Sequence, residues 1–180
     1  MSGLVTKRLL LEPLSRVHVT EDYLSWLNDP DVHRFLDSKG GYTLAQLEDY
    51  VDALNRRKAL AWAIQIKSSK KHIGNIKVDP INAIHRNAEY GILIGDKKSW
   101  GQGYAREASE RVFDLLFSRH YKINKITLGV VADNQAAIRC YEGMGFVLEG
   151  VYIKHALHDG QWRDVLRMAL FNKDQNSWDV

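Results

Sequence analysis

Apolar positions along this chain recur with two periods, and the switches between them outline the fold. Leu4 and Val5 with Leu9, Leu10, Leu11 and Leu14 read as a first strand, ended by Pro13. Thr20 to Leu27 reads as a short helix stopped by the turn-forming Asn28-Asp29-Pro30. Thr43 and Gln46 have the spacing of a capping box, and Leu44, Leu47, Tyr50, Val51 and Leu54 follow at helical intervals. Ala61 to Ile66 alternates, with Trp62, Ile64 and Ile66 on one face, and predicts a strand. Ile73, Ile76 and Val78 mark another, reached through Ser68-Ser69-Lys70-Lys71. Glu89 to Ile94 is the most apolar strand and is expected at the sheet centre.

The second half continues in the same way. Ala105, Ala108, Val112, Leu115 and Leu116 form one face of a helix running to about Arg119. Lys125 to Val131 predicts a strand. Asn134 is placed to cap a helix that runs to about Met144 and ends at Gly145, a residue suited to a left-handed C-cap. Val147 to Leu157 and Val165 to Phe171 predict a hairpin turning near His158-Asp159-Gly160. One strand, two helices, three strands, helix, strand, helix and hairpin give an α/β (α+β) fold. The expected sheet is mixed and mostly antiparallel, with about seven strands and about four flanking helices.

Composition narrows the class. At 180 residues, with three prolines and no low-complexity tract, residues 1–180 are expected to form a single domain. An apolar share of 45% with 26% charged residues is that of a folded globular chain. Basic residues number 25 against 22 acidic, a net charge of +3, which does not favour a general nucleic-acid binder. The single cysteine, Cys140, excludes an internal disulfide framework and points to a reducing compartment. No segment has the apolar length of a membrane span or the layout of a secretory signal, so a cytoplasmic location is expected. Seven scattered histidines show no ligand spacing, and no metal is expected.

The most informative stretch is Trp100 to Ala108, W-G-Q-G-Y-A-R-E-A, which lies between the most apolar strand and a helix. Two glycines at a helix start allow close backbone approach, and the first-turn amides lack intrahelical partners. Together with the helix dipole they make an anion site. No Lys-Ser or Lys-Thr follows, which excludes a Walker loop, and Arg106 stands where a dinucleotide fingerprint needs its third glycine. A loop that holds the pyrophosphate of an acyl-CoA remains.

W-G-Q-G-Y-A and N-Q-A-A-I-R-C-Y-E-G-M-G-F together resemble the GCN5-related N-acetyltransferase (GNAT) superfamily, whose element order matches nearly the whole chain. The resemblance implies a sheet splayed between the fourth and fifth predicted strands, Glu89–Ile94 and Lys125–Val131, with acetyl-CoA as co-substrate between them. It places the pyrophosphate on Trp100, Gly101, Gln102, Gly103, Tyr104 and Ala105, and pairs the pantetheine with the backbone of Ile92, Leu93 and Ile94. The family often has Gln or Arg where this chain has Trp100; members that acetylate protein N-termini and small amines depart similarly. W-L-N-D-P-D-V-H-R-F-L, G-N-I-K-V-D-P-I-N-A-I-H-R-N-A-E-Y-G-I-L-I-G and D-G-Q-W-R-D-V-L-R-M narrow the likeness. They look like acetyltransferases of bacterial surface-polysaccharide synthesis, which act on nucleotide-linked amino sugars.

Acetyl transfer to an amine needs a held thioester, a polarised carbonyl, a deprotonated amine and a protonated leaving thiolate. The resemblance makes Tyr141 the general acid, Glu89 the base and Asn134 a CoA contact. Each also has a structural alternative: a core tyrosine, a strand glutamate facing solvent or paired with Arg86, and a simple helix cap. Ala137 stands where many relatives carry a serine. His85 is the alternative base. Acceptor contacts are expected from Trp26, Asn28, His33 and Arg34, and from Tyr152, His155 and Asp164 on the hairpin. Arg34 and Arg86 are suited to an acceptor diphosphate. Trp26 and Trp62 suit the core better than a stacking platform, and Cys140 is packed surface rather than nucleophile.

The leading expectation is therefore an N-acetyltransferase for a nucleotide-linked amino sugar, a small-molecule acceptor, with no nucleic-acid or membrane partner. Alternatives are acetylation of a ribosomal-protein N-terminus, a polyamine or an aminoglycoside, or a non-catalytic acyl-CoA-binding module. A homodimer is left open, because many relatives dimerise.

Overall fold

The computed structural model describes residues 2–36, 40–158 and 160–173. The opening apolar run forms two strands rather than one. Leu4–Val5 (β1) and Leu9–Pro13 (β2) pair antiparallel, with Leu4 opposite Leu11. Thr6 makes the turn: its hydroxyl accepts from the Leu9 amide at 2.8 Å, and its own amide donates to the Leu9 carbonyl at 3.0 Å. Leucine spacing alone carries no sign of that turn.

A 3-10 turn at Arg16–His18 leads into α1 (Glu21–Asn28), capped by Thr20. Asn28-Asp29-Pro30 ends α1, as its turn chemistry predicts. Asp29 also caps a further short helix, α2 (Pro30–His33), by accepting from the Asp31 amide at 3.0 Å, with Pro30 in its first turn. In α3 (Leu44–Arg56) the capping box forms as predicted, with Thr43 and Gln46 bonding each other's backbone amides.

Strand β3 (Leu60–Ile66) departs from its one-faced alternation. Trp62 and Ile64 are fully buried, and so are Ala61 and Ala63, which lie under Val51 and Leu54 of α3. Small alanines admit the helix on the face that the pattern left to solvent. Strand β4 (His72–Asn82) outruns its predicted length, and β5 (Asn87–Ile94) follows. Helix α4 (Tyr104–Phe117) stops just short of Arg119. Then come β6 (Lys125–Val131) and α5 (Gln135–Gly143), which Asn134 caps by accepting from the Ala137 amide at 3.2 Å. Gly145 follows α5 at φ 93°, in the left-handed region. The hairpin is β7 (Val147–His158) with β8 (Gln161–Phe171); of its predicted turn, Asp159 lies outside the described residues.

The hydrogen-bonded order is β1-β2-β3-β4-β5-β6-β8-β7, an 8-stranded sheet where about seven strands were expected; the split of the first strand accounts for the difference. The helices are α1 to α5 rather than about four, because α2 follows α1 directly. β5 and β6 pair parallel, whereas β1/β2, β2/β3, β3/β4, β6/β8 and β7/β8 are antiparallel. The parallel register covers Asn87↔Lys125, Ala88↔Ile126 and Glu89↔Thr127.

The chain forms two compact units, Met1–Asp79 with Gly91–Val112, and Pro80–Tyr90 with Phe113–Val180. In the first, Tyr23, Trp26, Val32 and Leu47 make an apolar cluster against which Leu93 packs. In the second, the Tyr90 and Phe113 rings meet edge to face at 5.0 Å, and Phe113 meets Phe146 at 5.5 Å.

Two glycines in the first unit thread β5 into place. A Cβ at Gly74 would lie 2.1 Å from the Leu93 carbonyl oxygen, and one at Gly95 would lie 2.1 Å from Trp26 Cδ2. The Gly95 amide also donates to the Ile73 carbonyl at 2.9 Å. Gly95→Ala should therefore cost on the order of 2–3 kcal/mol in urea unfolding, because the methyl would overlap the buried Trp26 ring. Gly91→Ala, where a Cβ meets nothing within 4 Å, should be neutral to within about 0.5 kcal/mol.

Candidate functional site

In the first unit, β5 runs through a 3-10 turn (Lys97–Ser99) into the glycine loop and α4. Gly91 to Ile94 are only half-buried although their strand lies inside the sheet. The Trp100 indole Nε1 donates to the Ile94 carbonyl at 2.7 Å, tying the loop back to the end of β5. That bond gives Trp100 a role in loop shape. Gly101 and Gly103 have φ of 70° and 74°, which strongly favours glycine at both positions. A Cβ at Gly101 would meet nothing within 4 Å, so the loop presents open backbone there.

Two residues that sequence reasoning did not single out hold this loop. Arg8 donates to the Gln102 carbonyl at 2.9 Å and to Glu107 at 2.6 Å, with its guanidinium 4.5 Å above the Tyr104 ring. Glu107 also accepts from the Thr6 hydroxyl and the Arg8 amide, at 2.6 and 2.7 Å. Burial alone would push the Glu107 carboxyl up, but these donors together hold it below its ordinary value. Nearby, burial likewise pushes Asp96 up, and the hydrogen bonds from Lys71 and Ser99 bring it below the usual carboxylate range.

In the second unit, Tyr141 is half-buried on α5, with its ring 5.7 Å from Phe146. Burial pushes its phenol up to about 12, so it stays protonated throughout the neutral range. Among the described residues its hydroxyl has no hydrogen-bond partner. Asn134 caps α5 through its side-chain oxygen, as its structural alternative required.

Glu89 is paired, but not with Arg86. Arg167 of β8 holds it bidentately, Nη1 to Oε1 at 2.8 Å and Nη2 to Oε2 at 2.6 Å, and the Thr127 hydroxyl donates to Oε2 at 2.7 Å. The Glu89 hydrogen bonds hold the Arg167 guanidinium above its ordinary value. The guanidinium also lies 5.7 Å from the Tyr152 ring, which packs 5.0 Å from His155. Glu89 and two expected acceptor contacts thus belong to one contiguous group, joined by an arginine that sequence reasoning passed over. Arg167 sits between Leu166 and Met168, and a charge inside the apolar run Val165–Phe171 is the signal that could have found it.

Other predicted contacts have structural duties. Trp26 is 7% exposed and packs on Gly95. The Asn28 amide pins the Tyr42 backbone, accepting at 2.8 Å and donating at 3.0 Å. Asp164 accepts from the Lys154 amide at 2.7 Å in the irregular part of β7. Arg34 is exposed beside Phe35, and His33 lies against Gly40. His85 and Arg86 form the β4–β5 turn, Arg86 at φ 51°, with the Arg86 carbonyl accepting from the Asn124 amide at 2.7 Å. Among the described residues, no group of three or more His, Cys, Asp or Glu could hold a metal, and no helix is long and apolar enough to cross a membrane.

Comparison with known proteins fits this arrangement. The family model described as "Acetyltransferase (GNAT) domain" matches residues 8–147, so the chain belongs to the GNAT acetyltransferase family. A spermidine N(1)-acetyltransferase of Vibrio cholerae serotype O1 is 37% identical over 103 residues, which span 57% of this chain and 58% of that relative. The spermidine N(1)-acetyltransferase of Escherichia coli K12 is 28% identical over 163 residues, 89% of this chain and 84% of that one. The crystal structure of the Vibrio cholerae spermidine N-acetyltransferase in complex with CoA and spermine superposes with a TM-score of 0.83 at 26% identity. It covers 92% of this chain and 96% of that one.

The Tyr141 environment predicts a pH signature. A phenol raised from about 10 to about 12 gives a stability contribution that is complete below pH 10 and is lost as pH rises through 12. Tyr141→Phe should accordingly lose less unfolding free energy than the parent chain between pH 10 and 12, by urea denaturation. Equal losses would show that the phenol is not shifted.

Proposed function

We propose that this protein transfers the acetyl group of acetyl-CoA directly to a primary amine of a polyamine such as spermidine. What supports the acceptor is the likeness, along nearly the whole chain, to an acetyltransferase solved with CoA and spermine, together with two spermidine-acetylating relatives. The nucleotide-linked amino sugar has no comparable support, so the polyamine alternative becomes the reading. Within the first unit we assign the pyrophosphate to the backbone of Gly101–Ala105 and the pantetheine to that of Ile92–Ile94. A backbone N–H of β5 would bind the thioester oxygen as charge builds on it.

The second unit supplies the proton chemistry. Glu89 is an anion held by Arg167 and Thr127, so taking a proton would break an ion pair already formed. Its role in this reading is to orient the cationic amine as a hydrogen-bond acceptor, while water removes the ammonium proton. The free amine attacks the thioester carbon, a C–N bond forms and the C–S bond breaks. Tyr141 donates a hydrogen bond to the departing sulfur without giving up a proton it holds to about 12. The second amine proton ends on the thiolate, giving amide and free CoA.

The test is acetyl-CoA-dependent thiol release with spermidine and spermine, beside N-terminal peptides, aminoglycosides and nucleotide-linked amino sugars. Spermidine should be the preferred acceptor. Turnover confined to an amino sugar or a peptide would replace this reading. In the same assay Tyr141→Phe should lower kcat on the order of a hundredfold with the dissociation constant of CoA unchanged.

A further inference from the structure

Arg167 reaches Glu89 by crossing a strand. β8 pairs with β6, and Arg167 is registered opposite Gly129, while Glu89 lies on β5, beyond β6. The guanidinium can pass because residue 129 has no side chain: a Cβ there would lie 2.9 Å from Arg167 Nη1 and 3.2 Å from Val165 Cγ1. Gly129 is not at positive φ, so clearance rather than backbone conformation explains the glycine. Beyond this notch the guanidinium meets both Glu89 oxygens, and Thr127, on the same face of β6 as Gly129, adds its hydroxyl. Tyr152 of β7 lies on the far side of the guanidinium at 5.7 Å.

The Arg167 and Glu89 side chains are 25% and 33% exposed, so solvent screens the pair and its geometry is the larger consequence. A bidentate pair does fix the plane and position of a carboxylate, which a lysine in its place would not do. We propose that Arg167 is a positioning residue for acetyl transfer: passing through the Gly129 notch, it fixes the Glu89 carboxylate as an oriented anion for the acceptor amine. The inference rests on the assigned role of Glu89 and deepens it. It adds Gly129 and Thr127 as the groups that make the position possible.

Arg167 faces Glu89 from β8, and Glu149 and Tyr152 of β7 act on Arg167, with Glu149 itself paired to Lys125 of β6 at 3.0 Å. Removing the guanidinium removes a cation bonded to both Glu89 oxygens.

The test uses Arg167→Met, Arg167→Lys and Gly129→Ala, each first checked for cooperative unfolding. Gly129→Ala keeps the arginine but displaces its tip, so it serves if Arg167→Met fails to fold. Carboxyl 13C NMR of the full chain reads Glu89 without any acceptor: its titration should move up by at least about one pH unit in Arg167→Met or Gly129→Ala. With spermidine, KM for the amine should rise about tenfold or more, while KM for acetyl-CoA stays unchanged; Arg167→Lys should recover only part of the loss. An unmoved Glu89 titration, or unaltered amine kinetics in a folded variant, overturns the proposal. A shifted titration in a protein inactive on every polyamine supports the anchoring and overturns the polyamine reading instead.

Discussion

The close backbone approach around the carboxyl half of β5 is the constraint on which the rest depends. Gly74 and Gly95 let the Leu93 carbonyl and the Trp26 ring come nearer than any side chain at those two positions would permit. The Trp100 indole then binds the Ile94 carbonyl and starts the loop. From that anchorage the strand places Glu89 in its amino half, half-buried backbone in its carboxyl half, and the two left-handed glycines just beyond. A shift of one residue along β5 would reverse which side chains face which layer, and the site would be lost with the fold.

Two arginine–carboxylate pairs, one in each unit, carry out different tasks. Arg8 with Glu107 ties the β1–β2 turn to the first turn of α4 and neutralises an acid that would otherwise oppose an anion at that helix end. Arg167 with Glu89 fixes the plane and position of a carboxylate by a bidentate pair. Each pair fixes a carboxylate by several hydrogen bonds, so its main consequence is geometric. Burial makes the Tyr141 phenol a weaker acid, so it keeps its proton throughout the neutral range.

Much of the fold was legible because its signals are local. The Thr43–Gln46 box, the Asn134 cap, Gly145 and the periodic runs of α3, α4 and β6 each depend on neighbours within a few residues. The Thr6 turn was hidden inside a run of leucines, and the double burial of β3 hinged on alanines that a polarity pattern reads as neutral. Within the proposed site, Trp100–Ala105, Tyr141 and Glu89 were singled out through the resemblance. Arg167, Gly129, Arg8 and Glu107 were not, because each acquires its meaning from a partner tens of residues away, Arg167 through the β6–β8 register and Arg8 through the first turn of α4. Trp26 and Asn28 were legible as prominent residues, but their surroundings give them packing and loop-pinning duties.

The central claim is that β5 and the loop after it seat acetyl-CoA through main-chain groups. Backbone hydrogen exchange with and without saturating CoA tests it directly. The account predicts slowed exchange at Ile92–Ile94 and Gly101–Ala105, with little change along β1 to β3. CoA that binds while those amides exchange at their free rates would contradict it.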